Sequence, residues 1–258
     1  SDVCPHNCHD GRMSLVLHGL KGKPIAFAHR GGTGDADSAG QLVPNTIDAF
    51  RYAWDQGVTG VEADVRLTSE GVAVLESASG RRFSLRRLNL GDGRGRSLSE
   101  PGVARLADLY NSAPGSHLLC EVSLSVQATE VAAAAIEVAL QADALDRLWI
   151  RSDDWELLRS LAEAGCAARL MHSMQQRIPE SGFERYAAEV RKAGIAAVRL
   201  RHDWLSLGLV TLFHRFNVAV VAYGARERRH IRAMARIGVN GVSSDYARRL
   251  ADEVRILP

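Results

Sequence analysis

The chain has 258 residues, of which 46% are hydrophobic and 24% are charged, and this is the composition of an ordinary globular domain. Its 32 basic and 30 acidic residues nearly balance, so the charge gives no argument for a nucleic-acid or anionic-membrane partner. No apolar run approaches the roughly 18 residues of a membrane span. The apolar stretch at 13–20 is too short for one and lacks the layout of a signal peptide.

The first twenty residues are predicted to be an N-terminal extension that precedes a single domain at 21–258. Within the extension, Cys4, His6, Cys8 and His9 stand close together in the segment CPHNCH. A zinc site usually needs a second pair of ligands at a defined distance, and we find none in the sequence. An inert terminus is therefore favoured, and a local Cys4–Cys8 disulfide and a metal site are the alternatives.

Short β-rich runs alternate with amphipathic helical runs along the rest of the chain. The eight strand candidates are 25–30, 61–67, 117–122, 147–151, 168–172, 196–200, 218–222 and 241–244. Helical patterns follow them near 45–56, 104–112, 127–142, 153–164, 182–193, 205–216, 226–237 and 246–254. Four of these helices are followed by a glycine, as is typical of a left-handed residue that ends a helix, namely Gly57, Gly165, Gly194 and Gly238.

Eight strands that alternate with helices predict a parallel sheet, and the count of eight favours closure into a (β/α)8 barrel of the TIM type. An open doubly wound sheet is the alternative, although no GxGxxG motif follows the first strand. Only one connection is long. Residues 70–103 contain a strand-like segment at 72–77 and then a loop rich in Gly, Arg and Ser, which predicts a short insertion after strand two, over the barrel mouth.

The arginines of this insertion have two interpretations. They either attract a phosphate or another anionic group to the barrel mouth, or they belong to a solvated loop, which is favoured. The six are Arg81, Arg82, Arg86, Arg87, Arg94 and Arg96.

Carboxylates stand at the ends of two neighbouring predicted strands, where barrels of this type carry their active sites. Glu62 and Asp64 are two apart on one strand, so their side chains point the same way between apolar neighbours. Two carboxylates so placed repel each other unless a cation or a salt bridge neutralises them. Glu121 ends the next strand and completes a three-carboxylate shell. Hard oxygen ligands predict a divalent metal, Mg2+ or Ca2+.

The first predicted strand ends in His29 and Arg30, and two glycines follow at once. Flexible glycines allow a ligand or another part of the backbone to approach closely. A histidine can transfer protons near neutral pH, so His29 is a candidate catalytic residue rather than a surface histidine at a strand end.

Four segments together resemble the glycerophosphodiester phosphodiesterase family. They are AHRGG at 28–32, PNTIDAF at 44–50, GVTGVEADVRLT at 57–68 and GVNGVSSD at 238–245. The resemblance implies a (β/α)8 barrel with a small insertion and the cleavage of phosphodiesters to an alcohol and a phosphomonoester. It also implies that Glu62, Asp64 and Glu121 hold Ca2+ or Mg2+, that His29 is one of two acid/base histidines, and that Arg30 contacts the phosphate.

Among the departures of this sequence from the family, two fall on positions to which the resemblance would give a functional role. The family has His-Asp after the strand that follows its Asp-Gly, whereas this chain reads GVAVLESA at 71–78, so that Ser77 stands for the second histidine. Ser123 stands where the family has a lysine, two residues after Glu121. We assign Ser77 and Ser123, with Arg30, to substrate binding. Losing a general acid typically slows a reaction by about 10²–10⁴.

Several hypotheses remain for the missing proton donor. His172 or His202, which follow predicted strands, supply it, or the leaving group needs no acid. In a third, the barrel binds a polyol phosphate without turning it over. A metal-dependent phosphodiester hydrolase with reduced or altered activity is favoured, and a lyase forming an enolate or a cyclic phosphate is the remaining alternative.

Overall fold

The computed structural model describes residues 22–36, 42–76, 104–112, 117–121, 128–174, 179 and 182–256. The predicted N-terminal extension and most of the predicted insertion lie outside this part of the chain. The predictions for Ser77, Ser123, the four ligand-type residues of the extension and the six arginines of the insertion therefore stay predictions.

All eight predicted barrel strands are confirmed, each within one residue of its predicted bounds. The strands are β1 Ile25–His29, β2 Gly60–Leu67, β3 Ala73–Leu75, β4 His117–Glu121, β5 Leu148–Ser152, β6 Arg169–Ser173, β7 Ala197–Arg201, β8 Ala219–Tyr223 and β9 Gly241–Ser244. The helices are α1 Ile47–Asp55, α2 Leu106–Ser112, α3 Ala128–Gln141, α4 Trp155–Glu163, α5 Phe183–Lys192, α6 Leu207–Arg215, α7 Arg228–Arg236 and α8 Ala247–Arg255.

The sheet closes into a barrel of eight parallel strands. Their order is β1, β9, β8, β7, β6, β5, β4, β2, and β2 pairs with β1 to complete the ring. The open doubly wound alternative is therefore wrong. The strand-like segment at 72–77 forms β3, which pairs antiparallel with the end of β2 and is not part of the ring.

A small apolar cluster fills the lower interior of the barrel. It consists of Ile25, Phe27, Trp149, Met171, Ala197, Ala219 and Val221. The ring of Phe27 explains two glycines of the sequence motifs. A Cβ on Gly60 or Gly241 would lie 2.8 or 3.0 Å from this ring, so both neighbouring strands leave the space that Phe27 occupies. Trp149 packs edge-on against the same ring at 6.1 Å.

The helices cover the outside of the barrel and bury the larger apolar cluster between themselves and the strands. Side-chain caps fix the start of three of them, because Thr46, Asp154 and Ser206 each accept a hydrogen bond from a backbone N–H in the first turn. The four glycines predicted to follow helices all have a positive φ, between 74 and 91°. None of the described helices is both long enough and apolar enough to cross a membrane.

Candidate active site

Charged side chains collect inside the carboxyl-terminal half of the barrel, above the apolar cluster. Alternate residues of a strand point to the same side, so β5 places Arg151 above Trp149, and β7 places Arg199 above Ala197. Glu62 of β2 and His29 of β1 lie opposite each other in register. The end of the barrel at which parallel strands finish is therefore the polar one, as in barrel enzymes generally.

His29 is bonded to a carboxylate from the other end of the chain. Its Nδ1 lies 2.6 Å from Oδ1 of Asp245, which directly follows β9. Burial lowers the pKa of His29, but the negative charge of Glu62 and the hydrogen bond to Asp245 outweigh burial and raise it. The same bond lowers the pKa of Asp245. A carboxylate on Nδ1 orients the ring and leaves Nε2 for a substrate.

The loop after β1 is tightly packed, and this explains its two glycines. A Cβ on Gly31 would lie 2.6–2.8 Å from Ala49 of α1, including its backbone, and a Cβ on Gly32 would lie 2.8 Å from Ala247 of α8. Arg30 adopts φ 51°, an uncommon value for a residue with a side chain. Its Nη2 lies 2.7 Å from Oδ2 of Asp64. The loop thus holds Arg30 in a fixed, strained position at the mouth.

Glu62 is fully buried and is surrounded by positive charge. Nη2 of Arg199 lies 3.0 Å from its Oε1, and Nε of Arg151 lies 3.6 Å from the same oxygen. The hydroxyl of Ser243 donates to Oε2. Burial raises the pKa of Glu62, but Arg199, His29, Arg151 and this hydroxyl outweigh burial and hold the pKa well below its usual range. Glu62 is therefore ionised at any ordinary pH.

Asn45 fixes the end of β2 where the second carboxylate stands. Its Nδ2 donates to the backbone oxygens of Asp64 and Glu76, both at 2.9 Å, and its Oδ1 accepts from the backbone N–H of Asp64 at 3.1 Å. The next residue, Thr46, caps α1, whereas Asn45 joins β2 to the segment after β3.

The two histidines considered as replacement proton donors make their contacts with outer helices. His172 points away from the barrel interior, and its Nδ1 lies 2.5 Å from the hydroxyl of Tyr186 on α5. Burial lowers the pKa of His172. His202 stacks on His230 of α7 at 4.8 Å. Neither histidine has a hydrogen bond or ring contact among those found that reaches the His29–Asp245 pair.

The backbone of Glu121 lies where the sequence predicted it. β4 pairs with β2 so that Glu121 is directly opposite Asp64. Its side chain lies outside the described part of the structure, so its predicted role as a metal ligand stays a prediction.

Guanidinium groups contact both described carboxylates of the predicted metal shell, and Glu62 in particular fits a divalent cation poorly. Both are paired with guanidinium groups, Glu62 with Arg199 and Arg151, and Asp64 with Arg30. A cation bound to Glu62 would stand beside two like charges in a buried site, where repulsion is strong. Among the described side chains, no three of the types His, Cys, Asp and Glu are grouped to hold a metal.

These features define a (β/α)8 barrel whose polar mouth combines a carboxylate-oriented histidine with several arginines, a combination suited to acid/base chemistry on an anionic substrate. The family model that matches the chain, over residues 29–88, is the glycerophosphoryl diester phosphodiesterase family. Glycerophosphodiester phosphodiesterase 1 of Rattus norvegicus is 50% identical over 64 residues, which is 25% of this chain and 18% of that protein. The Homo sapiens protein of the same name is 48% identical over 50 residues, 19% of this chain and 13% of its own.

Solved structures extend the likeness of fold to almost the whole chain. A glycerophosphodiester phosphodiesterase from Thermotoga maritima has a TM-score of 0.68 at 20% identity, over 90% of this chain and 98% of its own. An Oleispira antarctica phosphodiesterase solved with its product sn-glycerol-3-phosphate has a TM-score of 0.68 at 21% identity, over 90% and 97%. The chain thus shares its fold with these barrels, and its residues 29–88 are similar in sequence to the glycerophosphoryl diester phosphodiesterase family.

Sequence reasoning missed four residues of this site: Arg151, Arg199, Ser243 and Asp245. The signal for the two arginines was present, because each stands among apolar residues of a strand candidate, Arg151 in 147–151 and Arg199 in 196–200. Asp245 closes a segment that contributed to the family resemblance, but without a role. The pairing register of the strands, which brings these residues to Glu62 and His29, could not be predicted from the sequence.

Proposed function

We propose that this chain hydrolyses phosphodiesters of the glycerophosphodiester type to an alcohol and a phosphomonoester. The observation that carries the proposal is the His29–Asp245 pair at the mouth of the barrel, 2.6 Å apart and beside Arg30. The similarity of residues 29–88 to the glycerophosphoryl diester phosphodiesterase family supports the same reaction. The chain spans less than a fifth of the length of the curated relatives that it matches.

The reaction needs two proton transfers. Water forms a bond to phosphorus and loses a proton, while the bond from phosphorus to the alcohol oxygen breaks and that oxygen gains a proton. Asp245 and Glu62 favour the protonated form of His29, so the role that suits this histidine near neutral pH is to donate its Nε2 proton to the leaving alkoxide. Arg30 binds a phosphate oxygen and partly neutralises its charge.

A divalent metal, Mg2+ or Ca2+, remains part of the proposal through Asp64 and Glu121, which are neighbours in register. Oxygen ligands of this kind suit either ion, and a bound cation would neutralise charge on the phosphate. Glu62 is better explained as the partner of the two arginines. Titration of the purified protein with each ion, in the wild type and in Asp64→Asn, tests whether this carboxylate binds metal.

Hydrolysis is tested with two substrates that differ in the need for an acid. Bis(p-nitrophenyl) phosphate releases a stable phenolate, whereas a glycerophosphodiester releases an alkoxide that must be protonated. We expect His29→Asn to slow the second reaction by about 10²–10⁴ and the first by less. Equal, unaffected rates for wild type and variant on both substrates would refute the proposal.

A non-catalytic barrel that binds polyol phosphates is the second candidate, and Ser77 in place of a histidine favours it. The substitution Ser77→His separates the two. If the chain is an enzyme that has lost a proton-transfer group, the added histidine increases the rate on the glycerophosphodiester more than on the nitrophenyl ester. A wild type that binds glycerol phosphate but hydrolyses neither substrate is the result that the binding candidate predicts.

A further inference from the structure

Two arginines lie inside the barrel, where such side chains are rarely found unless they are paired or functional. The side chain of Arg151 is 3% exposed and that of Arg199 is 9% exposed. Both come from strands that lie beyond the family match, which ends at residue 88. Their presence on the interior face is a property of this chain that the motif segments do not explain.

Both guanidinium groups are held in fixed orientations. Arg199 donates from Nη2 to Oε2 of Glu62 at 3.3 Å, and its guanidinium lies over the ring of Tyr223 at 4.3 Å. Arg151 donates from Nη1 to the hydroxyl of Ser173 at 3.0 Å. A site whose donors are already in place loses little entropy when a ligand binds.

One carboxylate, Glu62, serves both arginines. A guanidinium has five N–H donors in a planar fork, so it can bind this carboxylate and a phosphate at the same time. The paired oxygens of a phosphate match that fork better than they match a single ammonium group. The negative charge of Glu62 raises the pKa of His29 and the positive charge of Arg199 lowers it, so the guanidinium of Arg199 lies close to the proton-transfer group.

We propose, on the basis of the proposed function, that Arg151 and Arg199 bind the non-bridging oxygens of the substrate phosphate directly. Their guanidinium groups provide the positive charge beside Glu62 that, from the sequence alone, a divalent cation was predicted to provide. Glu62 then orients the arginines and is not a metal ligand.

The first test measures binding in the absence of metal. Calorimetric titration of wild-type protein with glycerol phosphate, and separately with inorganic phosphate, is carried out in EDTA and again in excess Mg2+ or Ca2+. We expect binding in EDTA, with affinity within about threefold of that with metal, a difference of less than 1 kcal/mol. Binding only in the presence of metal overturns the proposal.

The second test uses matched variants of arginines that pair with buried glutamates. Arg199→Met removes a guanidinium from Glu62, whereas Arg232→Met removes one from Glu253, which is 2% exposed and lies at the α7–α8 contact. We expect Arg199→Met to weaken binding of glycerol phosphate in EDTA by at least about tenfold, since a lost charge-assisted hydrogen bond is of this size. Arg232→Met is expected to leave binding unchanged.

A further variant covers the case in which Arg199→Met does not fold. Arg199→Lys keeps the charge against Glu62 but loses the planar fork, so we expect a folded protein with binding weakened by at least about tenfold in EDTA. Wild-type affinity in either folded Arg199 variant overturns the proposal, even if hydrolysis continues. A different result separates this proposal from the proposed function. If glycerol phosphate binds without metal and the Arg199 variants weaken that binding, but the protein hydrolyses no substrate, this proposal is supported and only the proposed function is refuted.

Discussion

Replacement of Gly31 by alanine tests whether contact with α1 determines the position of the loop that holds His29 and Arg30. Gly57→Ala is a matched control, because the two glycines have nearly the same backbone conformation, with φ of 88° and 91°. They differ in surroundings. A Cβ on Gly31 would meet Ala49 at 2.6–2.8 Å, whereas a Cβ on Gly57 has nothing within 4 Å.

The magnitudes follow from this difference. A left-handed conformation costs a residue with a Cβ roughly 1–2 kcal/mol, and this cost applies to both variants. Only Gly31→Ala also has to displace the backbone of α1, and overpacking of this kind typically costs about 1–3 kcal/mol. We therefore expect the free energy of unfolding to fall by about 1–2 kcal/mol in Gly57→Ala and by about 2–5 kcal/mol in Gly31→Ala.

Urea unfolding, followed by tryptophan fluorescence, measures both stabilities, and kcat/KM on a glycerophosphodiester measures the site. Because Gly31 adjoins Arg30, movement of the loop should displace the site by a fraction of an ångström or more. A misplacement of about 1 Å can cost on the order of 100-fold in rate. We expect Gly57→Ala to retain kcat/KM within about twofold of wild type, as substitutions away from a site do. Equal stabilities and equal activities in the two variants would refute the steric explanation of the loop.

Three further predictions test other parts of the structure. Asp245→Asn removes the carboxylate that helps to raise the pKa of His29. We therefore expect kcat/KM to fall and the alkaline limb of the pH–rate profile to move to lower pH. A pH–rate profile identical to that of wild type would contradict the pairing. His117→Gln should make the protein less sensitive to acid. Burial and the charge of a nearby arginine lower the pKa of His117 from 6.5 to about 4. Between these two pH values the unfolded chain takes up a proton that the folded protein does not. The free energy of unfolding of wild type therefore falls by up to about 3 kcal/mol as the pH is lowered through this range. Urea midpoints at pH 7 and pH 4.5 measure this, and an equal loss in both proteins would exclude His117 as the cause. Asn45→Ala removes three hydrogen bonds to the backbone of Asp64 and Glu76 and should destabilise by about 3 kcal/mol, at about 1 kcal/mol for each bond. Thr46→Ala removes only the helix cap and should cost about 1 kcal/mol, and denaturant unfolding of the two variants compares them.

The fold could be predicted from the sequence because its signals are local. Each barrel strand is a short β-rich run, and each helix has its own apolar periodicity and often a glycine at its end. Gly165 illustrates this, since its φ of 74° is the conformation that its position after a helix indicates. Closure of the sheet followed from the count of eight strands and needed no knowledge of any contact.

The site could be predicted only in part, because its contacts are not local. Two residues apart on one strand, Glu62 and Asp64 share a face, and this was deducible from strand geometry. That Glu62 would meet Arg199, 137 residues away, was not. The prediction of a metal at Glu62 considered this carboxylate without its partners, and Arg151 and Arg199 beside it became visible only with the register of the strands. The metal itself stays a prediction.

The partners of His29 and Glu62 come from parts of the chain that the family match does not cover, so the match alone does not determine the chemistry of the site. The matched segment, residues 29–88, supplies His29 and Glu62. Their partners in this structure come from later strands: Asp245 for His29, and Arg151 and Arg199 for Glu62. A histidine is an acid or a base, and a glutamate a metal ligand or an anchor, according to the charges beside it. Residues 29–88 therefore carry the similarity to the family, whereas β5, β7 and the end of β9 supply the partners that determine how the charged residues of this chain act.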